Sequence, residues 1–191
     1  MSLILITTRR FGDDRGWFTE SWSAARWVGW GLSYDWCQDN HSYSAAAGTL
    51  RGLHYQTGSH AQTKLVRCIR GAIYDVAADL RPNSPTFRQW RGFELSADNG
   101  EQLLIPKGYA HGFLTLTDDC EVTYKVDAPY APAHDGGVAW ADPDLAITWR
   151  LPNGLARPHL SPKDEALPCL TAAMPNFPYD GRPLSVREIV Q

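Results

Sequence analysis

Turn signals punctuate this chain from end to end and leave room for little but short strands. FGDDRG, GWG, TGS, IRG, RPNSP, SADNG, PKG, TDD, APYAP, DGG and LPNG follow one another at close intervals. Each carries the glycine, proline, asparagine or aspartate that tight turns use. Between them the residues alternate with period two. In AIYDVAADL, Tyr74, Val76, Ala78 and Leu80 share one face while Asp75 and Asp79 share the other. In EVTYKV, Val122, Tyr124 and Val126 face one way and Glu121, Thr123 and Lys125 the other. Regular short strands of this kind make an all-β sandwich or barrel. The long helices that a parallel doubly wound sheet needs between its strands are missing. TESWSAARWV predicts one short helix and KDEALPCL a turn of another. The expected architecture is an antiparallel jelly roll with a few short helices, its interior either packed solid or hollow enough to hold a ligand.

At 191 residues the chain fits a single domain, 1–191, with a proline-containing C-terminal tail over 171–191. The apolar run in MSLILITTRR is too short for a secretory leader and reads as a first strand. No apolar stretch approaches membrane-spanning length. The four cysteines, Cys37, Cys68, Cys120 and Cys169, form no CxxC pair. A disulfide framework is therefore not expected, and a reduced, cytoplasmic setting is. A net charge of −3 argues against general nucleic-acid or membrane-surface binding. An anionic ligand would have to be held by a local cluster of Arg and Lys.

Such a cluster lies in RGLHYQTGSHAQTKLVR, residues 51–67, where charge is concentrated on segments that alternate as strands do. Alternation puts His54 and Gln56 on one face and Leu53 and Tyr55 on the other; beyond the turn, Lys64 and Val66 oppose Leu65 and Arg67. Three further stretches suggest that the polar face lines a cavity. PKGYAHGF places His111 after a Pro-x-Gly turn. QDNHS is a run of amide and carboxylate groups. LSPKD offers Lys163 and Asp164 in the C-terminal region, where a carboxylate can reach back to a histidine.

FGDDRGWFTE, QDNHS, TLRGLHYQ, QTKLVR, DVAADLR, SPTF, LLIPKGYAHGF, YKVDAPYAP, ITW and LSPKD occur in that order. In this the chain resembles the nucleotide-deoxysugar epimerases typified by dTDP-4-dehydrorhamnose 3,5-epimerase, over roughly residues 11–170. The resemblance implies a cupin-type jelly roll and a cofactor-independent isomerase. Its reaction removes a C–H proton beside a ketone, stabilises an enolate and returns a proton to the other face, which needs a base, an oxyanion stabiliser and an acid around one sugar ring. His54 matches the base, Asp164 the carboxylate that orients it, Lys64 the residue near the C4 oxygen, and Tyr124 the proton donor. Arg15, Glu20, Gln38, Asp39, Asn40, Arg51, His111, Tyr130, Asp135 and Lys163 match contacts to a dTDP-sugar. The resemblance also implies a homodimer with N-terminal strand exchange, in which Arg15 and Glu20 serve the partner's site. Asp135 stands where some relatives carry glutamate, and Arg88 where glycine is frequent.

Other classes predict different patterns. A metal-dependent cupin oxygenase wants a His-x-His pair with a carboxylate and a later histidine; here Tyr55 and Gln56 follow His54, and no metal or cofactor is expected. A non-catalytic sugar-nucleotide binder would have no need of base, carboxylate, lysine and tyrosine together. A single-centre epimerase, acting at C3 or C5 alone, would carry the same residues.

Overall fold

Two facing sheets, antiparallel except at one edge, carry the period-two pattern, in a computed structural model that describes residues 2–152, 154–173 and 175–191. In chain order the first strands are β1 (Leu3–Thr7), β2 (Phe11–Asp13), β3 (Gly16–Phe18), β4 (Gln38–Ser44), β5 (Leu50–Gln56) and β6 (Lys64–Arg70). They continue with β7 (Ala72–Asp79), β8 (Trp90–Ser96), β9 (Glu101–Ile105), β10 (Tyr109–Thr115), β11 (Cys120–Val126), β12 (Asp135–Gly137) and β13 (Val186–Val190). The helices are α1 (Ala24–Gly29), α2 (Pro162–Glu165) and α3 (Leu170–Ala173). One sheet has the order β13-β1-β9-β6-β11-β4 and the other β12-β5-β10-β7-β8, while β2 and β3 form a separate hairpin. This is the cupin-like jelly roll.

The interior is both packed and hollow. The six-stranded sheet sends Leu3, Val66, Leu103, Ile105 and Val122 inward to meet Ile73, Ala77, Leu95, Tyr109 and Phe113 of the five-stranded sheet. Fully burying one such aliphatic side chain stabilises by about 1.5–3 kcal/mol. The two outer faces are covered as well. Tyr74, Val76, Ala78 and Leu80 pack beneath Leu145, Leu170 and Phe177, with Trp140 and Trp149 alongside. Trp27 of α1 packs with Ile4, Ile6, Leu65 and Leu104, edged by Trp22, Trp30, Tyr34 and Trp36. Ser23 caps that helix, accepting a hydrogen bond from the Arg26 N–H. All four cysteines are free; Cys68 and Cys120 are buried side by side on neighbouring strands.

Where alternation breaks, the break positions the cavity. Between β5 and β10 the register runs His111↔His54 and then Phe113↔Arg51, so β5 carries one extra residue at Gly52–Leu53. The bulge resets the phase and turns both Arg51 and His54 toward the interior, leaving Leu53 in the outer core. Only glycine fits there: Gly52 has φ +126°, and a Cβ would lie 2.5 Å from Gly112 Cα. Arg88 has φ +71°, a left-handed conformation that accounts for the glycine frequent at this place in the resembling family.

The C-terminal segment differs from the expected loose tail. Its last strand pairs in parallel with β1, from Leu3↔Val186 to Thr7↔Val190, and Phe177, Leu184 and Ile189 are buried. Polar contacts help to hold it. Arg81, itself 1% exposed, reaches Asp180 Oδ1 at 2.9 Å, and the Leu184 N–H donates to Thr86 Oγ1 at 2.7 Å. Its prolines hid a short strand whose burial comes mainly from Ile189. No helix among the described residues is long and apolar enough to cross a membrane.

Candidate active site

Two adjoining chambers of about 260 and 240 Å³ open between the sheets and share His54, Lys64, Tyr124 and Lys163. His54 stands on the five-stranded sheet, while Lys64 and Tyr124 stand on the six-stranded sheet. Ser42, Arg51, His111, Phe113, Ser161 and Asp164 complete the first chamber. Gln38, Asn40, Tyr130 and Asp135 lie around the second.

Local sequence explains how Asp164 arrives. In LSPKD, Ser161 is the N-cap and Pro162 occupies the first turn of α2, where its fixed φ suits a helix start. Ser161 Oγ accepts from the Asp164 N–H at 3.1 Å and donates to Asp164 Oδ2 at 2.7 Å. The carboxylate, 5% exposed, thereby meets the His54 Nε2 at 2.6 Å. It sits off the line of the ring N–H, a looseness common before substrate binds. Burial alone would raise the Asp164 pKa; hydrogen bonds from His54 and Ser161 outweigh it and hold the carboxyl below its ordinary value.

A second histidine–carboxylate pair lies deeper. His111 Nε2 is 3.1 and 2.9 Å from the two oxygens of Asp75, which is wholly buried. Burial pushes the His111 pKa down, against the pull of Asp75. Burial also lowers Lys64, to about 8. Tyr124 is raised by burial and stays a phenol near neutral pH. Lys163 is bonded to Asp135, which raises its pKa, and Tyr130 Oη donates to the same carboxylate at 3.3 Å. The shorter aspartate therefore reaches both neighbours.

Gln38 and Asn40 point into the cavity; Gln38 Oε1 accepts from the Tyr130 N–H at 3.1 Å and so holds the 129–131 loop. Three expected site residues are not brought to it. Asp39 lies on the opposite face of β4, 2.9 Å from Lys125 Nζ, because consecutive strand residues point to opposite sides. Arg15 sits at the tip of the β2–β3 hairpin, 90% exposed and bonded to Asp13, and Glu20 pairs with Arg26. Neither lines the chambers. Conversely, Asp75 and Ser42 were not singled out as site residues in the sequence. Ser42 Oγ is buried beside the first chamber and finds no hydrogen-bond partner among the described residues. Both stand where period-two alternation places inward residues. No cluster of three or more His, Cys, Asp or Glu side chains with the makings of a metal site occurs among the described residues.

The sequence profile of the dTDP-4-dehydrorhamnose 3,5-epimerase family matches residues 1–172. The chain is 50% identical to the Escherichia coli dTDP-4-dehydrorhamnose 3,5-epimerase, over 86% of this chain and 88% of that one. It is similar to the crystal structure of the Bacillus anthracis enzyme of the same name, solved with TDP and pyrophosphate bound: 55% identity, TM-score 0.83, covering 87% and 93% of the two chains. It is also similar to a dTDP-6-deoxy-D-glucose-3,5-epimerase from Legionella pneumophila, solved in complex with dTDP-4-keto-L-rhamnose. There the identity is 41% and the TM-score 0.83, over 91% and 92%.

Proposed function

The chain belongs to the dTDP-4-dehydrorhamnose 3,5-epimerase family, and we propose that its two chambers hold a dTDP-linked 4-keto-6-deoxyhexose whose C3 and C5 are inverted by the side chains just described. The observation that carries this reading is that a base and an acid from opposite sheets line one space, with an ammonium beside them. His54 takes the proton from the carbon next to the ketone. The electrons of that C–H bond pass to the C4 oxygen as an enolate, which the Lys64 ammonium stabilises. Tyr124 gives its phenolic proton to the opposite face of the carbon and the ketone re-forms. His54 then loses its proton and the Tyr124 phenolate regains one from solvent, which restores the site. Asp164 stabilises the imidazolium, in the manner of the carboxylate in other histidine–carboxylate pairs. Removing one enolate-stabilising group of the Lys64 kind typically lowers the rate by about 100–1,000-fold. Because that group must be cationic, turnover should fall as pH rises through about 8.

Arg51 and Lys163 supply positive charge for the diphosphate, and Gln38, Asn40 and Tyr130 contact the nucleotide side. The β2–β3 hairpin fits a role in a second copy of the chain. Phe11, Trp17 and Phe18 are 53, 54 and 70% exposed on it, and Arg15 points away from its own cavity. In a homodimer with N-terminal exchange, these apolar faces are covered and Arg15 and Glu20 meet the partner's substrate.

The test is incubation with dTDP-4-keto-6-deoxyglucose in D2O followed by proton NMR. Deuterium at both C3 and C5 with the L-configured product is the expected result. Label at one carbon alone identifies a single-centre epimerase, and no label at either removes the proposal.

A further inference from the structure

Lys64 and His111 line the same chamber from opposite sheets, and one carboxylate serves both. Asp75 lies on the inward face of β7, wholly buried, and accepts from His111 Nε2 of the neighbouring β10 through both oxygens. A buried carboxylate of this kind is costly to the fold unless it is paired, and a purely structural position on this strand would be served by an alanine such as Ala77. We propose that Asp75 is a positioning residue of the reaction: it fixes the ring of His111 by holding its Nε2 proton, and it supplies the negative charge that keeps Lys64 an ammonium inside the cavity.

Other charges face Lys64 as well. Asp135 on β12 works in the same direction as Asp75 and Lys163 on α2 against it, and Asp75 is the strongest of the three. His54, His111 and Tyr124 line the same chamber. Burial has already brought the Lys64 pKa to about 8, so the loss of the Asp75 charge moves it further down. The sign follows: the enolate-stabilising cation is then lost at lower pH, and the basic limb of the pH profile moves toward neutrality. The inference rests on the epimerase reading of Lys64.

Asp75→Asn keeps the shape and removes the charge. An opposite charge at close range typically shifts a pKa by about 1–3 units. Deuterium wash-in by Asp75→Asn should therefore be about tenfold slower than wild type at pH 9 and within about twofold at pH 6, with Asp75→Glu restoring the basic limb. An unmoved limb, a loss equal at every pH, or a glutamate variant that behaves like the asparagine one overturns the proposal. A ¹³Cε titration of Lys64 needs no substrate and so separates this inference from the assignment of the reaction. In the wild type the resonance should titrate near 8, and lower in Asp75→Asn. Should that variant not fold, a wild-type Lys64 that titrates at its ordinary 10.5 overturns the proposal by itself.

Discussion

His54–Asp164 and His111–Asp75 contain the same two functional groups at nearly the same separation, 2.6 and 2.9 Å, yet their surroundings differ. The His54 side chain is 29% exposed to the cavity, and its carboxylate is delivered by the first turn of α2 from far along the chain. The His111 side chain is 7% exposed, its carboxylate is wholly buried, and both come from adjacent strands of one sheet. A base must reach the carbon it deprotonates, so the difference in access supports the proposed assignment of proton transfer to the first pair. The second is held on all sides by packing and register, which suits a fixed electrostatic frame. Residue type and pairing distance alone would not have told them apart.

The comparison breaks most directly at the rings themselves. His54→Ala should lower deuterium wash-in at both C3 and C5 by about 10³-fold or more, within the range general base catalysis contributes. His111→Asn should retain measurable exchange. Equal losses would mean that access does not separate the two. Tyr124→Phe asks whether the facing phenol, rather than His111, returns the proton. Exchange at the first carbon should persist while formation of inverted product drops by about 10–100-fold, followed as product ratio by NMR. If inversion kept pace with exchange, His111 would become the acid. The smallest effect belongs to Ser161→Ala, which touches only the helix-borne pair. Loss of the cap should cost about 1 kcal/mol in thermal or denaturant unfolding, with a severalfold fall in kcat and little change in KM. A variant equally stable and active would show that Asp164 needs no cap to reach His54.

Much of this was legible from residues 51–67, the YKV strand and LSPKD. Period-two alternation put His54 and Lys64 opposite apolar neighbours, and the structure keeps that division: Leu53 and Leu65 are buried while His54 and Lys64 line the cavity. Asp39 was expected at the site from the family resemblance, with the rest of QDNHS, and in this structure it points away from the chambers. The same alternation, applied within QDNHS, groups Gln38, Asn40 and Ser42 and turns Asp39 outward to Lys125. Arg51 was recognised by its motif, but its orientation depends on a bulge at Gly52, which alternation cannot anticipate. Asp75 was read as facing opposite Tyr74 and Val76. Whether such a face meets water or a cavity depends on the second sheet, information that no single strand contains.

The parallel pairing of β13 with β1 has a consequence unrelated to catalysis. LILIT is short and strongly apolar, and as an open border its free N–H and C=O groups would offer a template on which strands of other molecules could stack. Val186–Val190 occupies that border and presents the charges of Arg187 and Glu188 in its place. The segment after the last site residue thus exchanges an apolar border for a charged one, the kind of edge that discourages strand-to-strand association.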